Sequence, residues 1–118
     1  MNPYNIPGIS PKELSKKLQS DEMFFILDVR EPNELDYAKI TDDRLIPLPL
    51  SRLVREQTRA LPNALQNKNA PIIVMCHHGV RSAQVTSWLL GLGWNKVLNL
   101  DGGIDLYAKN IDQSIGLY

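Results

Sequence analysis

From Ser10 onward, short apolar runs alternate with stretches in which apolar residues recur at helical spacing. Ser10-Pro11-Lys12-Glu13 is a capping box with proline at the first helical position, and Leu14 and Leu18 then share one face, which predicts a helix to about Gln19. Met23 to Val29 is apolar enough for a strand covered on both faces, with a polar end at Asp28-Val29-Arg30. Glu31-Pro32 stops that strand, and Pro32 to Tyr37 reads as a short helix that turns Leu35 toward the core. Leu45 and Ile46 predict a brief strand before Pro47 and Pro49. Ser51 is expected to cap a helix whose stripe is Leu53, Val54 and Leu61, interrupted at Pro62, with Gln66 to Asn69 a loop. Pro71 to Met75 is the clearest strand. Beyond Arg81, the residues Val85, Trp88, Leu89 and Leu92 fall on one helical face, expected to be core, and Gly91 and Gly93 end that helix. Lys96 to Leu100 supplies the last strand, Asp101-Gly102-Gly103 a tight turn, and Ile104 to Asn110 a terminal helix.

Strands alternating with helices imply a parallel sheet covered on both faces and built from right-handed crossovers. Ligands in such sheets bind beyond the carboxyl ends of the strands. Asp28 to Arg30, Cys76 to Ser82 and Asp101 to Gly103 all lie at such ends, so three segments converge on one rim.

The sole cysteine, Cys76, leaves a strand and enters a turn, Cys76-His77-His78-Gly79-Val80-Arg81-Ser82, that opens a helix. Amides at a helix start, the helix dipole and the Arg81 guanidinium each favour negative charge on the sulfur, the reactive form of a thiol. Gly79 suits a curl that needs positive φ or lacks room for a β-carbon, and Ser82 is placed to cap the helix or donate to the sulfur. Alone, Cys76 reads as a small buried hydrophobe. Its company of glycine, arginine and serine between a strand and a helix makes it a candidate nucleophile. Arg81 also admits a plain reading as a salt-bridge residue.

His77 and His78 are either solvated polar groups or donors that give the mouth of the site a pH-dependent positive charge. Adjacent imidazoles with one thiol lack the spacing of a zinc site, so no metal is expected. Asp28 and Arg30 are supporting residues, read first as a structural ion pair. Trp94 is expected to pack, Asp42-Asp43-Arg44 to be a solvated loop, and Lys16-Lys17 a polar helix face.

At 118 residues the chain fits a single domain, 1–118. Lys plus Arg (13) balance Asp plus Glu (13), which removes the electrostatic footprint expected for nucleic acid or an anionic membrane. One cysteine cannot form an internal disulfide, Met1 to Pro11 has no leader pattern, and no run approaches the roughly 20 apolar residues of a spanning helix. A soluble cytoplasmic protein is expected.

Three motifs resemble the single-domain rhodanese-like sulfurtransferases. Asp28-Val29-Arg30-Glu31-Pro32 with Glu34 looks like the first signature, Ile46-Pro47-Leu48 like the entry to the next helix, and Cys76 to Ser82 like the active loop. Asp101-Gly102-Gly103-Ile104 adds a weaker match, Tyr107 falls where an aromatic is usual, and the resemblance spans Ile9 to Tyr107. It implies a three-layer α/β/α domain with a five-stranded parallel sheet and no cofactor. Cys76 would carry a persulfide, with the backbone of His77 to Ser82 as cradle and Arg81 as anion contact. His77, His78, Gly79, Val80, Arg81 and Ser82 thus become substrate-binding candidates. The implied reaction takes sulfur from a donor such as thiosulfate and passes it to cyanide or a thiol. Two departures stand out. Ala38-Lys39-Ile40 replaces a frequent Gly-His-Ile, and His77-His78 stands where thiosulfate users often carry arginine or lysine, which leaves a protein persulfide open as donor.

Two other functions compete. Phosphate or arsenate chemistry, as in a cysteine-dependent phosphatase or arsenate reductase, also brackets an anion with cysteine and arginine, but those phosphatases have five intervening residues, whereas His77, His78, Gly79 and Val80 are all that intervene here. A regulatory module or protein-partner sulfur relay is the other reading, and such modules often lack the cysteine that this chain keeps.

Overall fold

The computed structural model describes residues 4–118. Met1 to Pro3, part of the leader reading and of the 1–118 domain expectation, lie outside the described residues. Strands β1 (Gly8–Ile9), β2 (Phe25–Asp28), β3 (Leu45–Pro47), β4 (Ile72–Met75) and β5 (Val97–Leu100) form one parallel sheet in the order β1-β5-β4-β2-β3. Helices α1 (Pro11–Leu18), α2 (Leu50–Glu56), α3 (Asn63–Gln66), α4 (Val80–Gly91) and α5 (Gly103–Asn110) connect and cover it. The expected α/β/α layering is present. No helix among the described residues is long and apolar enough to cross a membrane.

Strand periodicity divides the core in two. Leu27, Ile72, Val74 and Val97 pack with Leu53, Leu65, Val85 and Leu89 from α2, α3 and α4. Ile26, Ile73, Met75 and Leu100 point the other way, onto Leu14, Ile104 and Tyr107 from α1 and α5. β4 is the middle strand and all its residues are buried, so the next residue, Cys76, emerges from the most constrained part of the sheet.

Several local expectations change. The Ser10–Glu13 capping box forms with both bonds at 3.1 Å. Ser51, by contrast, does not cap α2, which starts at Leu50 after Pro49. Its hydroxyl donates instead to Glu31 Oε1 at 2.7 Å. The stripe fails at Val54, which is 65% exposed, because Gln57 turns to φ 58° and ends α2 before Leu61. Pro62 then starts α3 rather than interrupting a longer helix, burying Leu65 where a loop was expected soon after. Trp88 is only partly buried, beside a groove lined by Leu50, Leu53 and Val54. Trp94 packs as expected, donating its indole N–H to Leu65 O at 2.8 Å.

The Asp42-Asp43-Arg44 segment is not simply solvated. Asp42 holds the Arg44 guanidinium, which donates to Leu18 O at 2.9 Å and to the Ser20 and Glu22 carbonyls at 3.1 Å. Arg44 thereby satisfies carbonyls at the end of α1. The two-residue β1 is too short for a periodicity to reveal.

Candidate active site

β4 ends at Met75 and α4 begins at Val80, so the connection has to curl within Cys76 to Gly79. Gly79 makes the curl at φ 93°, where an added Cβ would sit 3.1 Å from the Gly102 nitrogen. Glycine meets both demands. The curl brings the Gly79 N–H to 3.1 Å and the Ser82 N–H to 3.3 Å from Cys76 Sγ. Cys76 is 1% exposed and its thiol donates to Ser82 Oγ at 3.3 Å. The Ser82 proton goes to Asn99 Oδ1 at 2.5 Å. Ser82 therefore neither caps α4 nor donates to the thiol, because buried Asn99 on β5 takes its proton; the helix is capped by Gly79 backbone alone.

Loop carbonyls point the other way. The Ile104 N–H reaches Cys76 O at 2.9 Å and the Asp105 N–H reaches His77 O at 3.0 Å, so the start of α5 binds the loop's outer edge. Gly103 permits this approach at φ 65°, since a Cβ there would lie 2.6 Å from Cys76 O. The Asp101-Gly102-Gly103 turn thus shares the rim with Cys76, as the strand-end argument expects.

The nearby charges are paired. Arg81 lies bidentate on Glu34, Nη1 to Oε2 at 2.7 Å and Nη2 to Oε1 at 2.8 Å. That carboxylate also accepts the Glu31 N–H at 2.9 Å and the Tyr118 hydroxyl at 3.1 Å. The bond to Arg81 is the main reason the Glu34 pKa is lowered to about 2, and Glu34 in turn raises that of Arg81. The salt-bridge reading of Arg81 is therefore realised. Deeper in, Arg30 and Asp28 form a fully buried pair at 2.8 and 2.9 Å. Arg30 Nη1 donates onward to Ala38 O at 2.8 Å and to the Tyr118 hydroxyl at 3.1 Å.

His77 lies between rings, stacked 3.7 Å from Tyr118 and tilted 3.8 Å from His78. Burial, then the neighbouring His78, lowers its pKa below the ordinary 6.5, so it is neutral at pH 7 rather than a source of positive charge. Its Nε2 is buried without a hydrogen-bond partner. His78 is exposed, with Nδ1 3.7 Å from Asp105 Oδ2, and Lys109 also reaches Asp105 at 3.0 Å. Donor atoms of His77, His78 and Asp105 lie within 4.8 Å of one another, so the fold supplies the third potential metal ligand that the sequence spacing lacked. Val80 is half-exposed on the first turn of α4.

The Gly79 and Ser82 amides are thus gathered on the Cys76 sulfur, while Arg81 faces Glu34 and Arg30 pairs with Asp28. Asn99 and Tyr118 were not foreseen. A buried asparagine in an apolar strand was a usable signal for the first; nothing local marks the second. A thiol held by two inward amides can act as a nucleophile whose negative charge those amides solvate.

The Rhodanese-like domain family model matches residues 10–110. The chain is 34% identical over 119 aligned residues to the Rhodanese-like/PpiC domain-containing protein 12, chloroplastic, of Arabidopsis thaliana; the match takes in 96% of this chain and 38% of that protein. It is 29% identical to a sulfurtransferase of Allochromatium vinosum, covering 86% of this chain and 88% of the relative. The crystal structure of a rhodanese-related protein from Thermoplasma volcanium superposes with a TM-score of 0.71 at 30% identity, covering 89% of this chain and 93% of that one.

Proposed function

Because the chain belongs to the rhodanese-like domain family, we propose that it is a sulfurtransferase that moves a sulfane sulfur through a persulfide on Cys76. The observation that carries this reading is the pair of N–H groups, from Gly79 and Ser82, on a sulfur at the end of the central strand. The Cys76 thiolate attacks the outer sulfur of the donor, forming a new S–S bond while the donor's own S–S bond breaks. The leaving group, sulfite from thiosulfate or a thiolate from a persulfide, departs with the electron pair. An acceptor thiolate or cyanide then attacks the outer sulfur, giving an acceptor persulfide or thiocyanate and returning the Cys76 thiolate. The cycle involves no net oxidation and no external redox partner.

Donor choice follows from the charges. Thiosulfate is a dianion and calls for an accessible cation, whereas Arg81 is already bidentate on Glu34 and His77 is neutral at pH 7. A persulfide, small or borne on a protein, suits this loop better. Nothing in the chemistry calls for nucleic acid or a membrane, and a thiol that must cycle in the reduced state suits the cytoplasm.

Incubation with a small alkyl persulfide should add one sulfur atom to the intact protein mass, and cyanide should release it as thiocyanate. The Cys76→Ser variant should take up none. An equal mass shift in that variant, or no adduct on the native chain from persulfide or thiosulfate, would sink the proposal.

A further inference from the structure

Tyr118 touches both His77 of the Cys76 loop and the Arg30 and Glu34 side chains beside it. Its ring lies flat on His77, 3.7 Å away at 6°, and stacks on Tyr37 at 5.6 Å. Its hydroxyl accepts from Arg30 Nη1 and donates to Glu34 Oε1, both at 3.1 Å. The segment that brings it there is fastened: Lys39 N–H donates to Ile115 O at 3.2 Å, and Gly116, at φ 108°, passes so close to Tyr37 that an added Cβ would overlap its carbonyl.

The hydroxyl completes a saturated carboxylate. Glu34 accepts four hydrogen bonds, two from Arg81, one from the Glu31 N–H and one from Tyr118. Two of these hold the carboxylate in place, and the other two are what it does with that place: it keeps the Arg81 guanidinium turned toward itself. An incoming dianion must draw Arg81 off Glu34 or be bound without it. Tyr118 is one of the two fixed points that make the first course costly.

We propose that Tyr118 is a positioning residue that sets donor choice: through Glu34 it keeps Arg81 engaged, so that the loop takes sulfur from persulfides in preference to dianionic thiosulfate. The same ring walls one side of the loop through His77, whose unpartnered Nε2 lies in that wall. The inference rests on the sulfur-transfer reading of Cys76.

The test compares kcat/KM for thiosulfate and for hydroxyethyl persulfide in the native protein and in Tyr118→Phe, which keeps the ring and removes the hydroxyl. The native protein should favour the persulfide. In Tyr118→Phe the thiosulfate-to-persulfide ratio should rise by about tenfold, mainly through a lower KM for thiosulfate, in keeping with loss of one hydrogen bond to a charged group. Glu34→Gln, which removes the charge that holds Arg81, should raise the ratio in the same direction. A ratio unchanged in Tyr118→Phe, a parallel loss with both donors, or a native preference for thiosulfate would overturn the role of Tyr118 while leaving persulfide chemistry on Cys76 intact. Failure of both donors to load the native protein would remove the reading on which the role depends.

Discussion

Glu34 shows how one side chain ties the chemistry of the loop to the pH dependence of the fold. Its carboxyl titrates near 2 in the folded chain, chiefly because Arg81 donates to it, against an ordinary 4.5 when unfolded. With the folded value depressed, its contribution to stability is complete above pH 4.5 and fades as pH falls toward about 2, because the unfolded chain takes the proton first. Urea midpoints measured from pH 5 down to about pH 2 should therefore fall further for the native chain than for Glu34→Gln. Equal slopes would mean that Arg81 and Tyr118 do not hold the carboxylate in solution. His77 acts in the same direction from a higher starting point: its depressed pKa favours the neutral ring, so stability is lost as pH drops below its ordinary 6.5. Residue identity made some of this legible. Cysteine, glycine, arginine and serine in one turn mark a candidate nucleophile, but the side-chain partners of Arg81 and Ser82, Glu34 and Asn99, lie in other segments of the chain. A pairing between distant segments leaves no periodic trace.

Among the elements, the junction of the loop with α5 carries the most consequence. The first amides of α5 hold the Cys76 and His77 carbonyls, and Gly103 is the residue that lets the helix come that close. Gly103→Ala places a β-carbon against Cys76 O at a backbone angle of φ 65°. It should destabilise the fold by about 2 kcal/mol or more, measured by urea denaturation at neutral pH, and slow sulfur uptake by Cys76. A variant with native stability and native uptake would show that the α5 contact is dispensable. The same elements show where pattern reading works. Capping residues placed α1 because Ser10 and Glu13 bond only to each other's neighbourhood, and β4 was evident because strands buried on both faces are continuously apolar. α2 defeated it: Ser51 is an ordinary cap residue by type, yet Glu31 from another segment captures its hydroxyl. Val54 and Leu61 share a stripe only on one continuous helix, and the positive φ of Gln57 ends α2 between them.

Over the whole molecule, the buried Asp28–Arg30 pair joins β2 to the Ala38 carbonyl and to Tyr118, so it anchors two chain segments at the rim. Arg30→Met should lose about 3–5 kcal/mol in calorimetric or urea unfolding, because Asp28 would stay buried without its partner. A loss below about 1 kcal/mol would mean that water or another cation compensates. The fold itself was readable because alternating strands and helices admit few parallel arrangements, although strand order was not. That order leaves β1 and β3 at the margins of the sheet, one only two residues long and the other ending in Pro47. Among the described residues, strands this short give another chain little edge backbone on which to extend the sheet. On the proposed sulfur-transfer reading, a protein donor or acceptor would therefore meet this molecule through side chains and surface shape rather than by adding a strand to its sheet.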